Sequence, residues 1–299
     1  MKPVDFDYAA PKSVAEALEL LAAWRHEAKI LAGGQSLVPL LVARSVRPRF
    51  VIDINRVAGL GYIEERDGGL AIGAMVRQAD CEASPLVRRS CPLLAEAIRW
   101  VATPQVRNRG TVVGSLAQRN AISQIPTVGA AIGGRLKIVG SGNRMRTAET
   151  EAFLDASSAA TLQPDELVLE CWFPEQKPGT AWAFVEVQRR LAHYALVGVA
   201  VVFAIDPAGL ITDARVAASG VADRPIRLGS VEQALSSRPA TREVFAEASR
   251  AAVNDPLMAP REDVHATAEY RRAVTPTLVE RALIQAKARL EAEIQSGRQ

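Results

Sequence analysis

The segment ILAGGQSLVPLL, residues 30–41, most constrains what this chain can build: an apolar run breaks on two adjacent glycines, passes through Gln35 and Ser36, and turns apolar again at once. The residues before the break, AKILA, read as a short strand. Those after it, SLVPLL, begin a short helix that Ser36 is placed to cap. A strand that ends on Gly-Gly and feeds a helix can bring bare backbone close to a ligand. Gly33 and Gly34 carry no Cβ to hold that ligand off, and main-chain N–H groups at a helix start favour anions, phosphate above all. The same residues also suit a plain strand-to-helix turn, and a lone glycine pair does not separate the two readings.

A second passage, RGTVVGSLAQRN at 109–120, again sets Gly, Thr, Gly and Ser in close order among apolar residues. Two such loops can grip one extended, diphosphate-bearing ligand. Neither has the glycine spacing of the nicotinamide-dinucleotide fingerprint or of the P-loop.

Around these loops, Ser13 followed by Glu16 predicts a capped helix to about Trp24, with Val14, Leu18 and Leu21 on one face. FVIDI (50–54) is a second strand, giving a β-α-β-like unit of about 55 residues. GLAIGA (69–74), RLKIVG (135–140) and ELVLECWF (166–173) read as strands, PLLAEAIRWVA (92–102) and AETEAFL (148–154) as helices, and the stretch 103–126 as a Gly/Asn/Arg/Ser-rich passage. PEQKPG (174–179) is punctuated like a linker. Beyond it come three strands (181–188, 194–205, 210–219), the last two joined by a turn at DPAG, then helices at 241–253 and from about Ala266 onward. Pro276 is expected to interrupt the last of these, with Thr275 capping a new helix. The pattern is α+β: two N-terminal lobes, about 1–57 and 58–175, and a smaller C-terminal domain at 178–299.

The chain has 299 residues, long enough for about two domains. Its net charge of +3 and 5% aromatic content argue against a nucleic-acid surface. Cys81, Cys91 and Cys171 form no CxxC pair; they fit buried, inert thiols in a reducing compartment and give too few ligands for an iron–sulfur cluster. His26, His193 and His265 lack metal-ligand spacing. The N-terminus has no signal-peptide pattern, and the longest apolar stretch is about a dozen residues where a membrane span needs roughly 20, so the expected location is cytoplasmic.

Taken together, residues 6–21, LAGGQSLVPLL, VIDINRV, LAIGAMV, TPQVRNRGTVVGSLA and ATAEYRRAV resemble the FAD-binding medium subunit of the molybdenum hydroxylases, of the xanthine dehydrogenase and carbon monoxide dehydrogenase type. The resemblance implies a two-lobed FAD-binding domain of the vanillyl-alcohol-oxidase-like type over 1–175, followed by a smaller α+β C-terminal domain, of the kind these flavoproteins carry, with an antiparallel sheet. It places Ala32, Gly33, Gly34, Gln35, Ser36 and Leu37 at the FAD pyrophosphate, and Thr111, Val112, Val113, Gly114 and Ser115 in a second FAD loop. It places Tyr194 and Leu167 near the flavin ring and adds Asn120 to the cofactor contacts. It implies no catalytic side chain and no metal on this chain. The molybdenum cofactor is expected on a large partner subunit and 2Fe–2S clusters on a small one, in a heterotrimer that passes electrons through FAD to an external acceptor. Three positions depart from the pattern: Val113-Gly114 replaces Gly-Gly, Asn120-Ala121 stands where Asp-Pro is usual, and His193 stands where Asp is common. Those departures leave open a scaffold that has lost FAD; a stand-alone flavin oxidoreductase is the third reading. Arg107, Arg109 and Arg119 flank the second loop as candidate phosphate or partner contacts, or as plain surface arginines.

Overall fold

The computed structural model describes residues 2–190 and 194–296. Its first lobe is a parallel three-stranded sheet, β1 (Asp7–Ala9), β2 (Ala28–Leu31) and β3 (Phe50–Asp53), in the order β1-β3-β2. Helix α1 (Val14–Trp24) crosses between β1 and β2, and α2 (Leu37–Val42) between β2 and β3. The Ser13 hydroxyl accepts from the Glu16 N–H at 3.2 Å, and the Glu16 carboxylate accepts from the Lys12 N–H at 2.8 Å. One orphan donor of α1 is thereby satisfied, and the residue before the cap is tied back to the first turn. Ala17, Leu18 and Leu21 are buried by this helix.

The second lobe is an antiparallel five-stranded sheet in the order β4-β5-β8-β6-β7, from β4 (Ile63–Arg66), β5 (Gly69–Gly73), β6 (Arg135–Gly140), β7 (Arg144–Glu149) and β8 (Leu167–Pro174). Between β5 and β6 run α3 (Gln78–Ala83), α4 (Pro85–Ser90), α5 (Pro92–Ile98), α6 (Pro104–Arg107), α7 (Val112–Gln118) and α8 (Gln124–Ile132); α9 (Thr150–Leu154) follows β7. The Gly/Asn/Arg/Ser-rich passage 103–126, given no secondary structure from the sequence, is mostly helical. The nine residues of α8 are all buried, so no polar face marks the helix in the sequence.

The third sheet is antiparallel, in the order β12-β11-β10-β9, built from β9 (Thr180–Gln188), β10 (Ala195–Ile205), β11 (Ile211–Ser219) and β12 (Ile226–Arg227). It is followed by α10 (Gly229–Leu235), α11 (Arg242–Arg250) and α12 (Ala268–Ser296). Strand β10 is apolar throughout because both faces are covered. Val197, Val199, Val201 and Phe203 join the core under α12, while Ala200 faces the core shared with α8.

Pro276 does not break the last helix. Helix α12 runs unbroken through it, and Thr275, far from opening a new helix, is fully buried and donates its hydroxyl to the Arg271 carbonyl at 2.7 Å. An interior proline costs about 3 kcal/mol. The buried stripe Leu278, Val279, Ala282, Leu283, Ala286 and Leu290 outweighs that, at about 1.5–3 kcal/mol for each large apolar side chain. Among the described residues no helix is long and apolar enough to cross a membrane.

Candidate functional site

The two glycine turns meet backbone to backbone. A Cβ added to Gly33 would lie 2.4 Å from the Arg109 carbonyl oxygen and 2.8 Å from Gly110 Cα, closer than any side chain permits. Gly34 has φ of +75°, the left-handed region that favours glycine. Among the described residues, no acceptor serves the main-chain N–H groups of Gly33, Gly34, Gln35, Ser36 or Leu37. Ser36 stands at the start of α2 but its hydroxyl makes no capping bond, so the expected cap is not formed.

In the second turn, Thr111 caps α7 by accepting from the Gly114 N–H at 3.0 Å. The Val112 N–H donates to the Val76 carbonyl at 3.2 Å and the Ser115 N–H to the Thr111 carbonyl at 3.1 Å. Among the described residues that leaves the Val113 N–H unbonded in this turn. The geometry also explains why valine is tolerated where glycine is usual. Residue 113 lies inside a helix, its φ is not positive, and its side chain is buried in the core. Gly114 has no room for a side chain, since a Cβ there would sit 2.5 Å from the capping Thr111 hydroxyl.

Both turns open on one cleft of about 910 Å³, near the top of the ~300–1,000 Å³ range of small-molecule sites. It is lined by Ala32, Gly33, Gly34, Gln35, Ser36, Leu37, Thr111, Gly114, Ser115, Asn120 and Tyr194, eleven of the fourteen expected site residues. The other three do not line it. Val112 and Val113 turn their side chains into the core because they sit on the inner face of α7. Leu167 is 4% exposed in β8, opposite Val139, and points into the same core. The cleft wall on that side comes instead from Thr161, Leu162, Gln163, Pro164 and Glu166. Arg146 holds that wall. It donates to the Ala160 and Thr161 carbonyls at 3.1 and 2.8 Å and pairs with the Glu166 carboxylate at 2.6 Å, which keeps that carboxyl below its ordinary range.

Asn120 uses its Oδ1 to accept from the Ile122 N–H at 3.1 Å, closing a local turn at the cleft edge. Tyr194 is exposed at the cleft mouth, its ring 5.7 Å from that of His265. His193 lies outside the described residues. Of the flanking arginines, Arg107 pairs with Glu82 at 2.8 Å and Arg119 lies 5.9 Å from the Phe153 ring, so neither lines the cleft; Arg109 is exposed. The three thiols are free and fully buried, and burial pushes Cys91 up to about 12 and Cys81 and Cys171 above their ordinary value.

Two glutamines had no motif to mark them. Gln78, 5% exposed, reaches the cleft beside Gly110, and its Oε1 has no partner. Gln124, at the cleft floor, donates to Glu186 Oε2 on β9 at 2.9 Å. Burial of Glu186 raises it to about 7, against the opposing bonds from Gln124 and Gln188. A folded carboxyl raised above its unfolded value holds its proton longer than the unfolded chain does. Its stabilising contribution is full below the unfolded value near 4.5 and is lost as pH rises through about 7, up to about 3 kcal/mol. Melting temperature is therefore expected to fall between these two pH values. Glu186→Gln should flatten that fall; an unchanged slope in the variant contradicts it.

Unbonded amides, a backbone approach that no Cβ could enter, and an orphaned buried amide oxygen together fit a ligand with a diphosphate and further polar groups. Comparison with known proteins agrees. Residues 4–176 match the FAD binding domain in molybdopterin dehydrogenase, and residues 182–286 match the CO dehydrogenase flavoprotein C-terminal domain. The chain is 39% identical over 286 residues to the 6-hydroxypseudooxynicotine dehydrogenase complex subunit alpha of Paenarthrobacter nicotinovorans, covering 96% of each chain. It is 35% identical over 289 residues to the carbon monoxide dehydrogenase medium chain of Hydrogenophaga pseudoflava, covering 97% of this chain and 99% of that one. Among solved structures, it superposes with a TM-score of 0.91, at 36% identity, on a chain of the H. pseudoflava carbon monoxide dehydrogenase that lacks the Mo-pyranopterin moiety, covering 97% and 99% of the two chains.

Proposed function

The chain belongs to the FAD-binding medium subunits of the molybdopterin dehydrogenases, and from that premise we propose that it is the electron-transfer flavoprotein of a multi-subunit molybdenum hydroxylase. In this reading a large partner holds the molybdenum cofactor and a small partner carries 2Fe–2S clusters. The observation that carries the reading is the closure of two glycine turns, backbone to backbone, onto one cleft, with the N–H groups of Gly33 to Leu37 in the first turn and of Val113 in the second without an acceptor among the described residues. The N–H groups of Gly33 to Leu37 and of Val113 would hold the pyrophosphate, with Ser36 and Ser115 adding hydroxyls. Tyr194 would stand at the flavin end, and the Thr161–Pro164 wall would close the opposite side. FAD bound there supplies the exchange between single-electron and two-electron carriers. The chain's own contribution is binding and orientation: Arg146 and Glu166 keep the wall in place, and the Gly33–Arg109 contact keeps the turns together. Substrate choice then belongs to the partner that holds molybdenum.

The test is the visible spectrum of the chain purified with whatever co-elutes. Flavin bands together with iron–sulfur absorbance are expected. A complex without flavin bands, even after FAD is added and the excess removed, indicates a scaffold that has lost the cofactor. Flavin in an active, isolated chain indicates a stand-alone oxidoreductase.

A further inference from the structure

We propose that Asn55 and Arg77 form a positioning strut that sets the spacing of the two glycine turns and aims the Gly33 amide into the cleft; this rests on reading those turns as the diphosphate clasp. Asn55 belongs to the VIDINRV segment and follows β3 directly, in a short turn at Ile54–Arg56. Its backbone N–H donates to Asp53 Oδ1 at 2.9 Å, and its side-chain amide donates to the same oxygen at 2.5 Å. The other Asp53 oxygen accepts from the Tyr8 hydroxyl at 2.6 Å. The Asn55 carboxamide is thus locked from behind. Its Nδ2 also donates to the Ala32 carbonyl at 2.8 Å, and its Oδ1 accepts from Arg77 Nη2 at 2.7 Å. Arg77 Nη1 in turn donates to the Arg109 carbonyl at 2.6 Å.

The result is a continuous chain of bonds from the carbonyl before Gly33 to the carbonyl before Gly110. Arg109 O is also the atom nearest to where a Gly33 Cβ would fall, so the strut and the closest turn-to-turn contact share one oxygen. A peptide unit is planar and trans, with its C=O and N–H pointing opposite ways. Holding the Ala32 oxygen on Asn55 therefore turns the Gly33 N–H to the other side. Arg77 is also tied to the second turn by its backbone: it bridges to Thr111, and the neighbouring Val76 carbonyl and Gln78 N–H pair with Val112 and Gly110. A lysine at 77 has a single nitrogen and cannot reproduce the fork that serves Asn55 and Arg109 together.

The experiment uses the full chain with FAD and ADP titrated separately, the first by quenching of flavin fluorescence and the second by competition, together with a melting curve of the cofactor-free protein. Asn55→Asp, which removes the donor to Ala32 at constant size, and Arg77→Lys should each weaken FAD about tenfold and ADP by the same factor, because the diphosphate is common to both. Parent-like affinity in both variants, measured well below the melt, overturns the proposal even if the melt falls. So does a loss for FAD that spares ADP. Gly33→Val is run beside them. If it keeps FAD, the clasp reading itself fails. If it loses FAD while Asn55→Asp and Arg77→Lys bind normally, only the strut fails.

Discussion

Gly33→Val strips the chain of FAD: the expected loss in affinity is at least about a hundredfold, ~2.7 kcal/mol. The reason is steric and lies in the main chain. Any Cβ at 33 would start 2.4 Å from the Arg109 carbonyl oxygen, where ordinary contact begins near 3.4 Å. The two turns must therefore part by about 1 Å, and a displacement of that size is enough to spoil a binding site built on fixed donors. The neighbour cannot swing aside, because it is backbone and because Arg77 holds the same oxygen. The fold itself should persist, since Gly33 is half-exposed and its turn lies at the edge of the core. The check is flavin absorbance after purification together with far-ultraviolet circular dichroism. A folded variant that retains flavin refutes the expectation.

The second large effect is on stability. Gly220→Val is expected to destabilise the chain by about 3 kcal/mol or more, lowering the melting temperature by roughly 6–12 °C. Gly220 has φ of +76°, where a β-branched residue is strained by about 1–3 kcal/mol. A Cβ there would also lie 2.0 Å from the Leu196 carbonyl oxygen, which the buried Arg271 guanidinium holds as an acceptor. Neither partner is free to give way: Arg271 also pairs with Asp263 at 2.7 Å. The Gly220 N–H donates to the Ala121 carbonyl at 2.8 Å, so the same substitution disturbs the contact between the C-terminal sheet and the edge of the cleft. Melting curves of parent and variant measure this. A variant that melts with the parent contradicts it.

The sequence made the first lobe and the glycine turns legible because their signals are local. Ser13 with Glu16 marks a capped helix by spacing alone, and Gly-Gly between a strand and a helix allows a close backbone approach, a reading that took the second small-residue passage to separate from a plain turn. Thr111 capping Gly114 is likewise a contact between near neighbours. What escaped the sequence depends on distant partners. Helix α8 carries no amphipathic period because β10 and β11 cover the side that solvent would otherwise wet. Pro276 stays inside a helix because the apolar stripe beyond it is buried against the sheet. Leu167 lies next to the cleft wall in sequence, but strand alternation turns it inward and leaves Glu166 at the cleft. Gln78 and Gln124 lack any motif; they become site residues only when α3 and α8 bring them to the cleft. Asn55 and Arg77, 22 positions apart, acquire a role only through the carbonyls they share.

The most direct measurement is a structure of the full chain with FAD bound. The diphosphate oxygens are predicted to lie within about 3 Å of main-chain nitrogens in both turns, among Gly33 to Leu37 on one side and at Val113 on the other. A diphosphate seated elsewhere in the cleft, with those amides facing only water, would contradict the account.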